Sequence, residues 1–146
     1  MQVEVKIDSA YEEPKVIVLT SSMTEEVNRL VKKLSEDFPK MLAGIRNDRC
    51  ELLEQTEIIR IYAASGKVYA VTAKGEYVLR RRLYELEEQL AGSSFVRISN
   101  SEMINLKKVE HFDLSFTGTI YVKLSNQTSA YVSRRYVSKI KTMLGI

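Results

Sequence analysis

The chain has 146 residues, 45% of them hydrophobic and 28% charged, with a net charge of +3; this is one ordinary domain or a domain with a small appendage, and it excludes a large multidomain enzyme. No apolar run approaches the ~20 residues that span a bilayer and no secretory leader pattern opens the chain, so a cytoplasmic protein is expected. Cys50 is the single cysteine and His111 the single histidine, which excludes by counting an intramolecular disulfide, a Cys/His zinc site and a two-histidine metal motif.

In chain order, Val3, Val5 and Ile7 alternate with polar residues as a half-buried strand requires, and Lys15 to Thr20 is a second β-branched run. Ser22 and Glu25 have the spacing of a capping box, after which Val27, Leu30, Val31 and Leu34 recur at helical intervals. That helix is predicted over about Thr24 to Asp37, because Pro39 disfavours helix at Phe38. The first 48 residues thus read as a ββα segment with too little apolar surface to stand alone.

From about Arg49 the pattern changes to short strands separated by turn residues. Ile58 to Ala63, Lys67 to Thr72 and Glu76 to Leu79 form a predicted antiparallel meander, with Ser65-Gly66 and Lys74-Gly75 at its hairpins. A helix over Leu83 to Leu90 puts Leu83, Leu86 and Leu90 on one face and stops at Gly92. Strands are predicted over Phe95–Ile98, Lys107–Phe116, Thr119–Leu124 and Ser129–Val132. A final helix capped by Ser133 carries Val137, Ile140 and Leu144 and ends at Gly145. The expected class is α+β, predominantly antiparallel β, with domains over 1–48 and 49–146.

The charge is unevenly spread. Residues 1–57 hold 8 Lys/Arg and 12 Asp/Glu, net −4, whereas residues 58–146 hold 14 and 7, net +7. A basic segment beside an acidic one points to a polyanion partner for the basic part. Catalytic chemistry is poorly supplied: there is no glycine-rich phosphate loop, no nucleophile elbow and no second histidine, so no enzyme, cofactor or small-molecule substrate is expected. His111 reads as a half-buried structural or plain surface histidine, and Cys50 as a core-facing strand residue.

The basic clusters carry more information. Arg134 and Arg135 fall in the first turn of the final helix, where the macrodipole disfavours cations by a few tenths of a kcal/mol each. An approaching anion would reverse that penalty, since N–H groups and guanidinium forks then act together on phosphates or guanine edges. Arg80-Arg81-Arg82 precede the middle helix, where a solvated strand end explains them as well as an anion site does. Ser99-Asn100-Ser101 forms a polar tip between two apolar strand-like pieces, and Asn can pair with the N6/N7 edge of adenine.

The order of these pieces is the specific signal. Ile58-Ile59-Arg60-Ile61-Tyr62-Ala63, then Leu83…Glu85-Leu86-Glu87-Glu88…Leu90, then Phe95-Val96-Arg97-Ile98-Ser99-Asn100-Ser101, then Ile104-Asn105-Leu106, then Tyr131-Val132-Ser133-Arg134-Arg135-Tyr136 together resemble the LytTR DNA-binding domain of bacterial transcriptional regulators over about residues 50–146. The resemblance implies an elongated β-fold with short helices, whose inter-strand loops enter successive major grooves of double-stranded DNA at direct repeats, bound as a homodimer. It aligns Asn100, within Ser99-Asn100-Ser101, and Arg135 with base-contacting positions, and Lys67 with the first contact region. Ser99 stands where the family commonly has histidine. Arg97, Arg134, Lys139 and Lys141 become phosphate-positioning residues. Residues 1–48 are too few for a receiver domain; the likeness to stand-alone regulators makes them a region for dimerisation or for meeting a small membrane-protein inhibitor. The competing reading is a protein-binding module whose basic face docks an acidic partner or an anionic membrane surface.

Overall fold

The computed structural model describes residues 1–36, 41–115 and 117–146. The chain divides into two compact units, residues 1–38 and 39–146.

Among the described residues the first unit has one regular element, helix α1 (Glu25–Glu36). Its cap is Thr24, whose Oγ1 accepts from the Val27 N–H at 3.2 Å, and not Ser22, whose carbonyl instead accepts from the Thr20 hydroxyl. The predicted end of this helix at Asp37 lies outside the described residues. The two predicted strands are absent: residues 3–7 and 15–20 carry no ladder pairing, and Ile7 is 99% exposed. Alternation supplies a face that could be buried, but a strand also needs a neighbour for its backbone N–H and C=O groups, and among the described residues none pairs with these segments. The ββα expectation therefore reduces to the helix.

The second unit begins ahead of the expected boundary at residue 48, because a hairpin straddles it. β1 (Leu42–Arg46) and β2 (Arg49–Leu53) pair antiparallel from Leu42↔Leu53 to Arg46↔Arg49. The turn residues between them, Asn47 and Asp48, both have positive φ, as a two-residue turn matched to strand twist requires. Then follow β3 (Ile58–Ala64), β4 (Lys67–Thr72), β5 (Gly75–Leu79), α2 (Leu83–Gln89), β6 (Phe95–Ser99), β7 (Glu102–Asn105), β8 (Val109–Leu114), β9 (Ile120–Leu124), β10 (Ser129–Val132) and α3 (Val137–Leu144). The strand predicted from Lys107 starts later, since Leu106–Lys108 is a 3-10 turn; its predicted end at Phe116 is outside the described residues. Seven strands form one sheet in the order β2-β1-β5-β4-β3-β7-β6, and β10-β9-β8 form a second. Every pairing is antiparallel.

Strand alternation builds two cores on opposite faces of the larger sheet. Met103 and Phe95 join Ile61, Leu83, Leu86 and Leu90 under α2. Their chain neighbours Ile104 and Val96 face the other way, onto Ile120, Val122, Leu124, Val132 and Ile140 from the second sheet and α3. At β1, Gly44 is demanded by closeness: a Cβ there would lie 2.7 Å from Leu53 Cδ1 and 2.8 Å from Tyr77 Cβ. Asn105 is fully buried yet satisfied. Its Oδ1 accepts from Ser94 Oγ at 2.7 Å and Lys107 N at 3.1 Å, while its Nδ2 donates to the Ile58 carbonyl at 2.9 Å.

Candidate nucleic-acid interface

Three short connections hold the residues singled out from the sequence. The first is the β3–β4 hairpin, where Ser65 and Gly66 have φ of 51° and 75° and close a two-residue turn between Ala64 and Lys67. Lys67 stands exposed at the start of β4. The second is the β6–β7 tip, folded on its own side chains: Ser99 Oγ accepts from the Ser101 N–H at 3.2 Å, and a register irregularity lies between Arg97 and Ser99.

Arg97 is placed differently from the expectation of a phosphate contact. Its Nε donates to the Ser99 carbonyl at 2.7 Å, one terminal nitrogen donates to the Asn100 carbonyl, and the other meets Glu87 of α2 at 2.8 Å. The side chain is only 12% exposed. All three guanidinium nitrogens are engaged inside the chain, so Arg97 shapes the tip and fastens it to α2.

The third connection runs from β10 into α3. Arg134 and Arg135 lie in a 3-10 turn, Arg134–Tyr136, ahead of α3 rather than within its first turn. Ser133 makes no side-chain cap bond; its carbonyl accepts from the Tyr136 N–H at 2.8 Å. Arg134, Arg135 and Lys139 are exposed, while Ile140 is fully buried. Burying that one side chain is worth roughly 1.5–3 kcal/mol and anchors a helix whose other residues are solvated or only part-covered.

Backbone and side-chain bonds tie the three connections together. The Ala63 N–H at the end of β3 donates to the Ser101 carbonyl at 2.8 Å, and the Ser133 N–H donates to the Ile98 carbonyl at 2.9 Å. The Tyr136 hydroxyl donates to Asn100 Oδ1 at 3.4 Å. The structure thus brings Lys67, Ser99, Asn100, Ser101, Arg134 and Arg135 onto linked turns, with Lys139 one helical turn further on.

A groove of about 1140 Å³ adjoins this group, lined by Lys67, Arg97 and Asn100 together with Arg80, Arg81 and Arg82. The arginine triplet was visible in the sequence as a run, but nothing local indicated that the β5–α2 connection meets the β3–β4 turn. Beneath the tip, Arg60 and Glu102 face each other at 3.5 Å on β3 and β7. Burial raises the Glu102 carboxyl above its usual range, and the Arg60 guanidinium offsets part of that rise.

Other singled-out residues lie elsewhere. His111 is an exposed surface residue on β8, 3.4 Å from Asp113. Cys50 is exposed, contrary to the core-facing expectation; on the edge strand β2 only Leu53 is buried. Among the described residues no group of three or more His, Cys, Asp and Glu could hold a metal ion, and no helix is long and apolar enough to cross a membrane.

The family described as LytTr DNA-binding domain matches residues 48–145. The chain is 29% identical to an uncharacterized HTH-type transcriptional regulator of Staphylococcus aureus (strain MSSA476) over 147 residues, covering 100% of this chain and 99% of that one. A counterpart in strain MRSA252 is 28% identical over the same span. Among solved structures, the LytTr DNA-binding domain of a Bacillus cereus protein superposes with a TM-score of 0.69 at 20% identity, over 73% of this chain and 97% of that chain. The fold is therefore mostly antiparallel β with short helices. Although "HTH-type" stands in the relatives' names, α2 and α3 here are separated by five strands.

Proposed function

Since the chain belongs to the LytTR DNA-binding family and is a DNA-binding protein rather than an enzyme, we propose that it is a cytoplasmic, sequence-specific transcription regulator that reads double-stranded DNA with its turns. The observation that carries this reading is the set of bonds linking the β6–β7 tip to the Arg134–Tyr136 turn and to the end of β3. Base readout needs side chains held in fixed mutual register, because each hydrogen bond to a base edge is lost within fractions of an ångström.

Asn100 and Arg135 are the base readers, and Lys67 lies beside them. With its Oδ1 accepting from Tyr136, the exposed Asn100 has its amide N–H groups to offer, which suits an acceptor edge such as N7 of a purine or O4 of thymine. Arg135, exposed, has the fork that pairs with guanine O6 and N7. Ser99 and Ser101 shape the tip, while Arg134, Lys139 and Lys141 neutralise phosphates. The turns enter successive major grooves at direct repeats, and the chain acts as a homodimer. The exposed apolar residues of the first unit are where a second copy, or the membrane-protein inhibitor implied by the resemblance, docks.

The test uses a duplex selected from a random pool with the wild-type chain. Arg135→Ala should cost on the order of 1–3 kcal/mol and relax preference at one base pair, whereas Lys139→Ala should weaken binding to every duplex alike. If neither substitution altered binding or preference, these assignments would be wrong.

A further inference from the structure

We infer that Arg80, Arg81 and Arg82, with Lys67, form a cradle for the phosphodiester backbone of the DNA beside the base-reading turns; this rests on the DNA-binding reading above and adds a second binding surface to it. The β5–α2 connection carries three consecutive exposed arginines into the groove that Lys67 also lines. Among the described residues, none of these four side chains makes an ion pair or a hydrogen bond. The acid on the same wall, Glu85, is turned to the backbone, its Oε1 accepting from the Arg82 N–H at 3.2 Å. Arg97, the fifth cation of the lining, is satisfied by Glu87 and the tip carbonyls. The groove therefore offers four uncommitted positive charges at its surface and one acid that is already hydrogen-bonded.

The kind of anion follows from the arrangement. A small anion is held by convergent donors in an enclosed site, but these cations are strung along an open groove, which suits a chain of regularly spaced charges. A bilayer surface is broad and cannot enter a groove. Strung along one connection into an open groove beside the turns that carry Asn100 and Arg135, the guanidinium groups are placed to follow successive phosphates rather than a base edge. Arg80, Arg81 and Arg82 are therefore assigned to affinity and register, and Asn100 and Arg135 to sequence.

The experiment compares the full chain with the triple variant Arg80→Gln, Arg81→Gln, Arg82→Gln on two duplexes of equal length, one selected by the wild-type chain and one of random sequence, across a salt series. The expected result is an equal weakening on both duplexes, on the order of tenfold or more at 0.15 M salt, with the salt slope shallower by about 0.9 for each phosphate that the variant no longer neutralises. A triple lysine variant should recover most of that slope. Unchanged affinity and slope overturn the cradle, as does a loss confined to the selected duplex. So does dependence on these arginines of binding to phosphatidylglycerol vesicles but not of binding to either duplex. Wild-type binding without sequence preference would instead sink the regulator reading while the random duplex still reported on the cradle. Matching urea-unfolding curves establish that the variant is folded; if the triple change unfolds the chain, the three single changes each carry the test.

Discussion

At the scale of single residues, the order of short sequence blocks pointed to the family, whereas the partners of each side chain depended on packing between distant segments. Arg97 is the instructive case. Its position beside Ser99-Asn100-Ser101 suggests a phosphate contact, but Glu87 and two tip carbonyls engage all three of its nitrogens, and only the packing of α2 beside β6 could reveal that. Glu102 was silent in the sequence for the same reason. Buried across from Arg60, its carboxyl is raised, so the folded chain holds a proton at pH values where the unfolded carboxyl has released it. The native state gains stability as pH falls toward the ordinary carboxyl value of 4.5 and loses it as pH rises through the raised folded value. Unfolding free energies measured at a series of pH values should show this downward slope in the wild type and a flatter profile in Glu102→Gln. Parallel profiles would show that Glu102 titrates as an ordinary glutamate.

At the scale of elements, turns were the most legible feature because they are specified by one or two residues. Ser65-Gly66 and Gly145 were read from chemistry that acts locally and carry positive φ as expected. Strands were less legible, since periodicity describes a face and not a neighbour. Residues 3–7 alternate cleanly yet pair with nothing in the described chain, while β1 pairs on both sides although Leu42-Ala43-Gly44-Ile45-Arg46 shows little strand character. Gly44 would weaken a strand by propensity, but here it allows close approach to Leu53 and Tyr77. Asn105 shows what holds elements together at long range. It joins the segments around Ser94, Lys107 and Ile58 through one carboxamide, so Asn105→Ala leaves buried groups unpaired and should lower stability by about 1–3 kcal/mol in urea unfolding. An unchanged midpoint and slope would mean that water replaces the side chain without cost.

At the scale of the whole molecule, the unit boundary sharpens the charge arithmetic. Residues 1–38 hold 5 Lys/Arg and 8 Asp/Glu, net −3, and residues 39–146 hold 17 and 11, net +6. The net negative charge of the first unit disfavours contact with DNA, and the proposed dimerisation role can be argued from its helix. Helix α1 opens with Glu25 and Glu26 and closes with Lys33 in its last turn, and Val31 and Leu34 leave substantial apolar surface uncovered. Two copies crossing antiparallel would bury that stripe and bring Glu25 and Glu26 of each copy toward Lys32 and Lys33 of the other, the self-complementarity that a two-fold interface requires. Sedimentation of the full chain should therefore give a dimer, and Val31→Glu with Leu34→Glu a monomer. On a two-repeat duplex the monomer should lose affinity by the effective-concentration factor, on the order of 100-fold or more, while binding to a single half-site stays unchanged. A wild-type chain that sediments as a monomer on its own and on DNA would remove this role from the first unit.

The bonds that join the β6–β7 tip to the end of β3 and to the turn before α3 bear on how such a protein can change its operator over evolutionary time. Loops that moved independently could acquire new spacing by insertion or deletion, one loop at a time. Turns locked to one another act as a ruler of fixed length. On the proposed assignment of Asn100 and Arg135 as base readers, lineages that diverge in target sequence should exchange side chains at these positions, while the lengths of the connections that carry them stay constant.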